Sequence, residues 1–269
     1  RLTTLDLARF HPEPSQWEQL GEYEASSEIT SLNITGCRLD DEALDAVCDL
    51  PFFPGLRSLD AGYNNLGRGG LQRLASVPWS GLESLQLRAN KLDADACAVF
   101  SQFGEGARLK ELDVSWNPIG PQGVAAMASA VCLQGVTSLR LDYCDLTSHG
   151  LAHLVTAHGF QELESLSLQS NAIESLSHTT HHRFARFSRL RALSLAANQL
   201  RAENVRYLLE DDIIPQLTSL DLSYTELQNA GAELVAACER FDSLRHLDLG
   251  MNRLGHSGIR ALANAPWIA

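Results

Sequence analysis

Several things are scarce or missing in this chain of 269 residues, and each absence removes a class of protein. No apolar run approaches the roughly 18 residues that a membrane span requires, and nothing resembles the charged-then-apolar leader of a signal peptide. Arg1 stands first where a reading frame would start with Met, so a natural start upstream stays open. Basic residues are few: Lys and Arg total 21 against 33 for Asp and Glu, a formal net charge of −12. That balance argues against nucleic acid or an anionic membrane as the main partner. The six cysteines, Cys37, Cys48, Cys97, Cys132, Cys144 and Cys238, form no C-x-x-C pair and no terminal cluster, so they make neither a disulfide nor a zinc framework. They read as reduced core thiols, or as a pairing that only the fold would reveal, and point to a reducing, cytoplasmic setting. Absent too are Gly-x-Ser-x-Gly, a Walker loop, HExxH and carboxylates paired with a base. No enzymatic activity, cofactor or metal is expected.

What is present is a ratchet. The stretch from Leu109 to Ile119 has the spacing LxxLxLxxNxL, and copies in the same phase begin at Leu2, Ile29, Leu56, Leu82, Leu109, Val136, Leu163, Leu190, Leu217 and Leu244. The step is 27 residues, except for one of 26 between Leu56 and Leu82. Periodicity of this length is the signature of a solenoid, which grows in one dimension and needs no second core. Residues 1–269 therefore read as one domain of about ten repeats. In the first copy Phe10 takes the Asn slot and Pro12 an apolar slot, while Trp17 and Leu20 fall on the helix stripe. That suits either a degenerate cap or an atypical terminal repeat. At the other end Pro266-Trp267 repeats the phase of Pro78-Trp79, after which another strand would begin; either the last helix ends the array or the array is cut short.

Within each copy, apolar and polar residues first alternate, the period-2 signal of a strand with one buried face. Leu112 and Val114 turn in; Glu111, Asp113 and Ser115 turn out, where side chains are expected to be free of packing duty. About ten residues on, the rhythm becomes helical, as in residues 123–128, 150–155 and 258–263, with apolar side chains such as Ile259 and Leu262 forming one buried stripe. Neighbouring strands lie roughly 4.8 Å apart while packed helices need roughly 8 to 10 Å. The mismatch bends the coil into an α/β horseshoe, with a parallel sheet on the concave face and helices on the convex face. Asn64, Asn90, Asn117, Asn171, Asn198 and Asn252 share one slot with Cys37, Cys144 and Thr225. Turned inward at the strand end, they are expected to satisfy backbone groups of their own repeat and of its neighbour. Gly67, Gly120 and Gly255 share a phase suited to a turn with unusual dihedrals, and Gly70, Gly123, Gly150, Gly231 and Gly258 a phase suited to close helix approach.

The alternation of Asn and Cys in the slot, the repeat length and the Gly-x-x-x-Leu-Ala style of helix resemble the leucine-rich repeat proteins, specifically their ribonuclease-inhibitor-like subfamily. The resemblance covers nearly the whole chain. It implies a right-handed solenoid, and a family whose members bind other macromolecules; it carries over no functional residue. The cysteine-rich caps of extracellular members are missing, which fits an intracellular location.

The partner is expected to be another protein, docked on the concave wall of a chain that is monomeric or part of a larger one. Across the wall run Asp6, Asn33, Asp60, Gln86, Asp113, Arg140, Ser167, Ser194, Asp221 and Asp248, and beside them Ala8, Thr35, Gly62, Arg88, Ser115, Asp142, Gln169, Ala196, Ser223 and Gly250. Tyr63, Trp116, Tyr143 and Tyr224 lie at the strand ends. Together with Arg88, Glu111, Asp113, Arg140 and Asp142 they form the candidate binding surface, since Trp, Tyr and Arg dominate interface hot spots. Arg88 is expected to act as a rim charge. A plainer reading has the rings leaning on neighbouring repeats to cover the core edge. Two other functions stand beside recognition: a regulator of an enzyme, similar to the GTPase-activating members of the subfamily, and the sensor part of a larger multidomain protein. In the cluster His178, His181 and His182, the first two fall where other copies place apolar stripe residues such as Leu151 and Leu154, which suits a shifted helix burying Leu176, Phe184 and Phe187, a pH-responsive element, or a metal site.

Overall fold

Leucine at alternate strand positions turns into the core and its neighbours turn out. In the computed structural model, which describes residues 2–22, 28–157, 159–176 and 184–268, this alternation builds one sheet of ten strands in sequence order. The strands are β1 (Thr4–Asp6), β2 (Ser31–Asn33), β3 (Ser58–Asp60), β4 (Leu82–Gln86), β5 (Ala107–Asp113), β6 (Ser138–Arg140), β7 (Ser165–Ser167), β8 (Ala192–Ser194), β9 (Ser219–Asp221) and β10 (His246–Asp248). All neighbours are parallel, and the register pairs each central leucine with the next, as in Leu32 with Leu59 and Leu112 with Leu139. The convex layer is α1 (Pro14–Gly21), α2 (Ala43–Cys48), α3 (Arg68–Ser76), α4 (Ala94–Cys97), α5 (Gly120–Met127), α6 (Thr147–Thr156), α7 (Arg201–Glu210), α8 (Gln228–Ala236) and α9 (His256–Ala263). This is the α/β solenoid that the repeat spacing predicts.

The first copy folds as a repeat. Its β1 pairs with β2, and α1 opens on Pro14 and buries Trp17 in the common core. In the repeat beginning at Leu163 a short 3-10 turn, Phe184–Arg186, buries Phe184 and Phe187 beside Leu176. Two expectations fail. Ile259 is 55% exposed, because no further helix packs on the far side of α9 among the described residues. Of the three turn glycines only Gly120 is left-handed, at φ +64°; Gly67 and Gly255 sit at negative φ, −116° and −103°, and Gly255 is extended. Close approach does hold at Gly123, where a Cβ would stand 2.4 Å from Ile119 Cγ2 and 3.3 Å from Ala94 Cα.

The residue before the Asn slot is left-handed in every repeat: Arg9, Gly36, Tyr63, Ala89, Trp116, Tyr143, Ser170, Ala197, Tyr224 and Met251, with φ between 53° and 68°. Outside glycine this conformation costs roughly 1 kcal/mol per residue, and it persists where surrounding contacts over-determine it. Here it ends the strand, throws its own side chain out to the rim and turns the next residue inward. That residue then forms a ladder. Asn117 Nδ2 donates to the carbonyls of Leu87, Val114 and Ser115 at 3.0, 2.9 and 3.2 Å, and its Oδ1 accepts from the N–H groups of Asn90 and Leu92 at 3.1 and 3.0 Å. Asn171 and Asn198 repeat the pattern. Cys37 and Cys144 keep only the donor half, from Sγ to the carbonyls of Leu7 and Val114 at 3.2 and 3.3 Å. Where Cys37 would have to accept, the preceding repeat has Pro12, which has no N–H to offer.

Candidate partner-binding surface

The left-handed rim brings four of the predicted residues into one stack. Trp116 and Tyr143, on consecutive repeats, lie face to face with ring centres 3.9 Å apart and planes 20° from parallel. The repeat before them carries the small Ala89 at this position, and the gap is filled from one residue earlier: the Arg88 guanidinium carbon lies 5.6 Å from the Tyr63 ring centre and 5.8 Å from that of Trp116. The order along the rim is Tyr63, Arg88, Trp116, Tyr143. The three rings remain 56%, 45% and 39% exposed. The rings thus lean on one another, as the plainer reading expects, and still keep part of their faces open to solvent.

Arg88 is not a free rim charge. Its Nε is buried without a hydrogen-bond partner, and the stacked rings supply the compensating attraction through their π faces. Asp113 and Ser115 are not free either: they are 6% and 2% exposed. The Asp113 carboxylate accepts from the Ser115 N–H at 2.9 Å, and Asp6, Asp60, Asp221 and Asp248 accept in the same way from the N–H two residues on. The acidic column is thus a row of local turns, each carboxylate capping the end of its own strand. Asp142 reaches across instead, accepting from Ser167 Oγ at 2.5 Å and from the Gln169 N–H at 2.8 Å. The signal for these turns was in the sequence, as Asp followed two residues later by Ala, Gly or Ser.

On the open wall beside the stack, Glu111 and Arg140 are exposed. Glu111 accepts from Ser84 Oγ at 3.2 Å, and Arg140 makes no ion pair among the described residues. Tyr224 is 56% exposed but stands apart, three repeats beyond Tyr143 with Ser170 and Ala197 between them. His178, His181 and His182 lie outside the described residues. Among the described residues no group of three or more His, Cys, Asp or Glu side chains is placed to hold a metal ion, and no helix is long and apolar enough to cross a membrane. All six thiols are buried and unpaired. Burial pushes those of Cys48, Cys97 and Cys132 up to about 12, which leaves them protonated and unreactive at neutral pH.

A family model described as Leucine Rich repeat matches residues 26–48, 109–128, 215–236 and 243–263. The chain is 29% identical to the "Ribonuclease inhibitor" of Sus scrofa, over 88% of this chain and 61% of that protein. It is 27% identical to "NACHT, LRR and PYD domains-containing protein 14" of Mus musculus, over 83% of this chain and 22% of that protein. It thus spans less than two thirds of the length of these relatives. Among solved structures, an internalin C2 from Listeria monocytogenes superposes with a TM-score of 0.53 at 22% identity, covering 82% of this chain and 80% of that one. At that identity the likeness speaks for the fold alone.

Proposed function

We propose, from the premise that this chain is a leucine-rich repeat protein similar to ribonuclease inhibitor, that it is a non-enzymatic recognition module for another protein, docked on the concave wall and its rim. The Tyr63–Arg88–Trp116–Tyr143 stack carries the reading. Aromatic and guanidinium groups supply most interface energy when they form a central, ordered patch, and rings already locked by stacking lose little further freedom on binding. Glu111 and Arg140, exposed on the adjoining wall, add charges of both signs that fix orientation. Asp113, buried, holds the turn at the end of its strand, just before Trp116. The net charge of −12 favours a partner with a basic face. The six free buried thiols support a cytoplasmic setting. A second reading, the sensing part of a longer protein, is supported by the 22% share of a long relative that these repeats match.

The test is affinity capture from the native host with wild type and with the Trp116→Ala, Tyr143→Ala double variant. A protein retained by wild type should bind the variant more weakly by at least about 2 kcal/mol, roughly thirtyfold, taking about 1 kcal/mol or more per truncated ring. Circular dichroism should be unchanged, since both rings face solvent. A captured partner whose affinity is the same for both would put the interface on the convex helices or the lateral edge.

A further inference from the structure

The rim contains a second gap of the kind that Arg88 fills. Between Tyr63 and Trp116 stands one small residue, Ala89, and a guanidinium lies between the two rings. Between Tyr143 and Tyr224 stand two small residues, Ser170 and Ala197, and at the position corresponding to Arg88 those repeats carry Gln169 and Ala196. Ala196 is buried, and among the described residues no ring or guanidinium stacks on Tyr224 or on Tyr143 beyond its contact with Trp116. With strands roughly 4.8 Å apart, three repeat steps separate the two tyrosines by about 14 Å, room for two planar groups at stacking distance.

The floor and walls of this recess have a definite chemistry. The repeats beginning at Leu163 and Leu190 present Ser165, Ser167, Ala192 and Ser194 to the concave side, without a charge. Each wall pairs a tyrosine with a carboxylate that leans inward: Asp142 toward Ser167 and Gln169 on one side, and Asp221 toward Ser194, whose Oγ donates to Asp221 Oδ2 at 3.0 Å, on the other. Stacking faces flanked by anions suit a flat cation. Guanidinium is the side chain that is both planar and permanently charged, and it stacks on rings in a way that ammonium does not. A nucleobase would stack as well, but its phosphates would meet these carboxylates and a net charge of −12.

We propose that the recess between Tyr143 and Tyr224 receives arginine side chains of a protein partner, reproducing with a foreign guanidinium the packing that Arg88 makes within the chain. The proposal rests on the recognition reading above and names the partner's chemistry. It also supplies an internal competitor: Gln169→Arg would place a guanidinium on the open face of Tyr143, as Arg88 is placed between Tyr63 and Trp116.

The probe is a fluorescein-labelled pentapeptide of glycine with two arginines, titrated by anisotropy at low salt beside its two-lysine analogue. The arginine peptide should bind wild type at least fivefold more tightly than the lysine peptide. Binding should fall at least tenfold in Tyr143→Ala and in Tyr224→Ala, and should be abolished in Gln169→Arg with the melting temperature of wild type. Should Gln169→Arg melt lower, Tyr224→Ala, which removes only an exposed ring, decides alone. Equal affinity for the two peptides, indifference to Tyr224→Ala, or no binding at millimolar peptide would overturn the proposal. Tyr143 takes part in both tests, so Tyr224→Ala with the peptide and Trp116→Ala alone with a captured protein keep them apart: failure of the first overturns the recess and leaves the stack reading, and failure of the second does the reverse.

Discussion

Replacing Asn117 by Ala separates a structural ladder from a binding surface, and its cost can be worked out bond by bond. Asn117 is 1% exposed and makes five hydrogen bonds. On the donor side little is lost, because each of the three carbonyls keeps another partner: Leu87 O still accepts from Asn90 Nδ2, Val114 O from Cys144 Sγ and Ser115 O from the Ala89 N–H. On the acceptor side the N–H groups of Asn90 and Leu92 have only Asn117 Oδ1, and both are orphaned. A buried donor left without a partner costs about 1–3 kcal/mol, so the expected loss is about 2–5 kcal/mol once partial relaxation is allowed. Urea denaturation followed by circular dichroism measures it, with Asn65→Ala as the control, an exposed residue just after the slot two repeats earlier, whose side chain should contribute within about 0.5 kcal/mol. Asn117→Asp should also destabilise, because it keeps the two acceptor bonds but turns an anion toward three carbonyls. If Asn117→Ala costs no more than Asn65→Ala, the two N–H groups are not held as described and the ladder argument fails.

Four further outcomes follow from other parts of the molecule. Asp113→Ala should lower stability by about 1–2 kcal/mol through the unsatisfied Ser115 N–H, whereas Asp113→Asn, which keeps the acceptor, should melt near wild type. Arg88→Glu should speed partner dissociation more than it slows association, because it sets a carboxylate against two ring faces at the centre of the stack; a pure change in association rate would restore Arg88 to the rim. Gly123→Ala should cost about 1–3 kcal/mol from the contact with Ile119 and Ala94, while Gly104→Ala, with nothing within 4 Å of the new Cβ, should be neutral in the same melt. The thiols give a pH signature. Their folded pKa values lie above the unfolded value of 9.0, at about 12 for Cys48, Cys97 and Cys132; their stabilising effect is therefore complete below pH 9 and lost as pH rises toward 12. A thiol reagent at pH 7.5 should leave the native protein unlabelled, and reaction of any of these three without unfolding would show that the core opens more readily than this packing allows.

The repeat period determined the architecture without help from tertiary structure. Leucine spacing sets which side chains turn inward, strand and helix spacing set the curvature, and a polar slot at a strand end has to serve backbone groups, so solenoid, sheet order and Asn ladder were all legible in the chain. Those are local or nearest-neighbour consequences, and in an array where each repeat touches only the next they extend from end to end. The candidate surface was legible only as a set of positions. Tertiary structure decided which of them are available: Asp113 and Ser115, outward by pattern, are covered, while Asp60 and Asp221 at the same strand position as Asp113 stay half-buried. Trp116, Tyr143 and Arg88 became one stack, and Tyr224 an outlier, because a left-handed residue in each turn lines the rim side chains along the axis at strand spacing. Whether a gap in that line is filled depends on the side chain one residue earlier, in Arg88 but not in Gln169, and that relation exists only once the repeats are stacked.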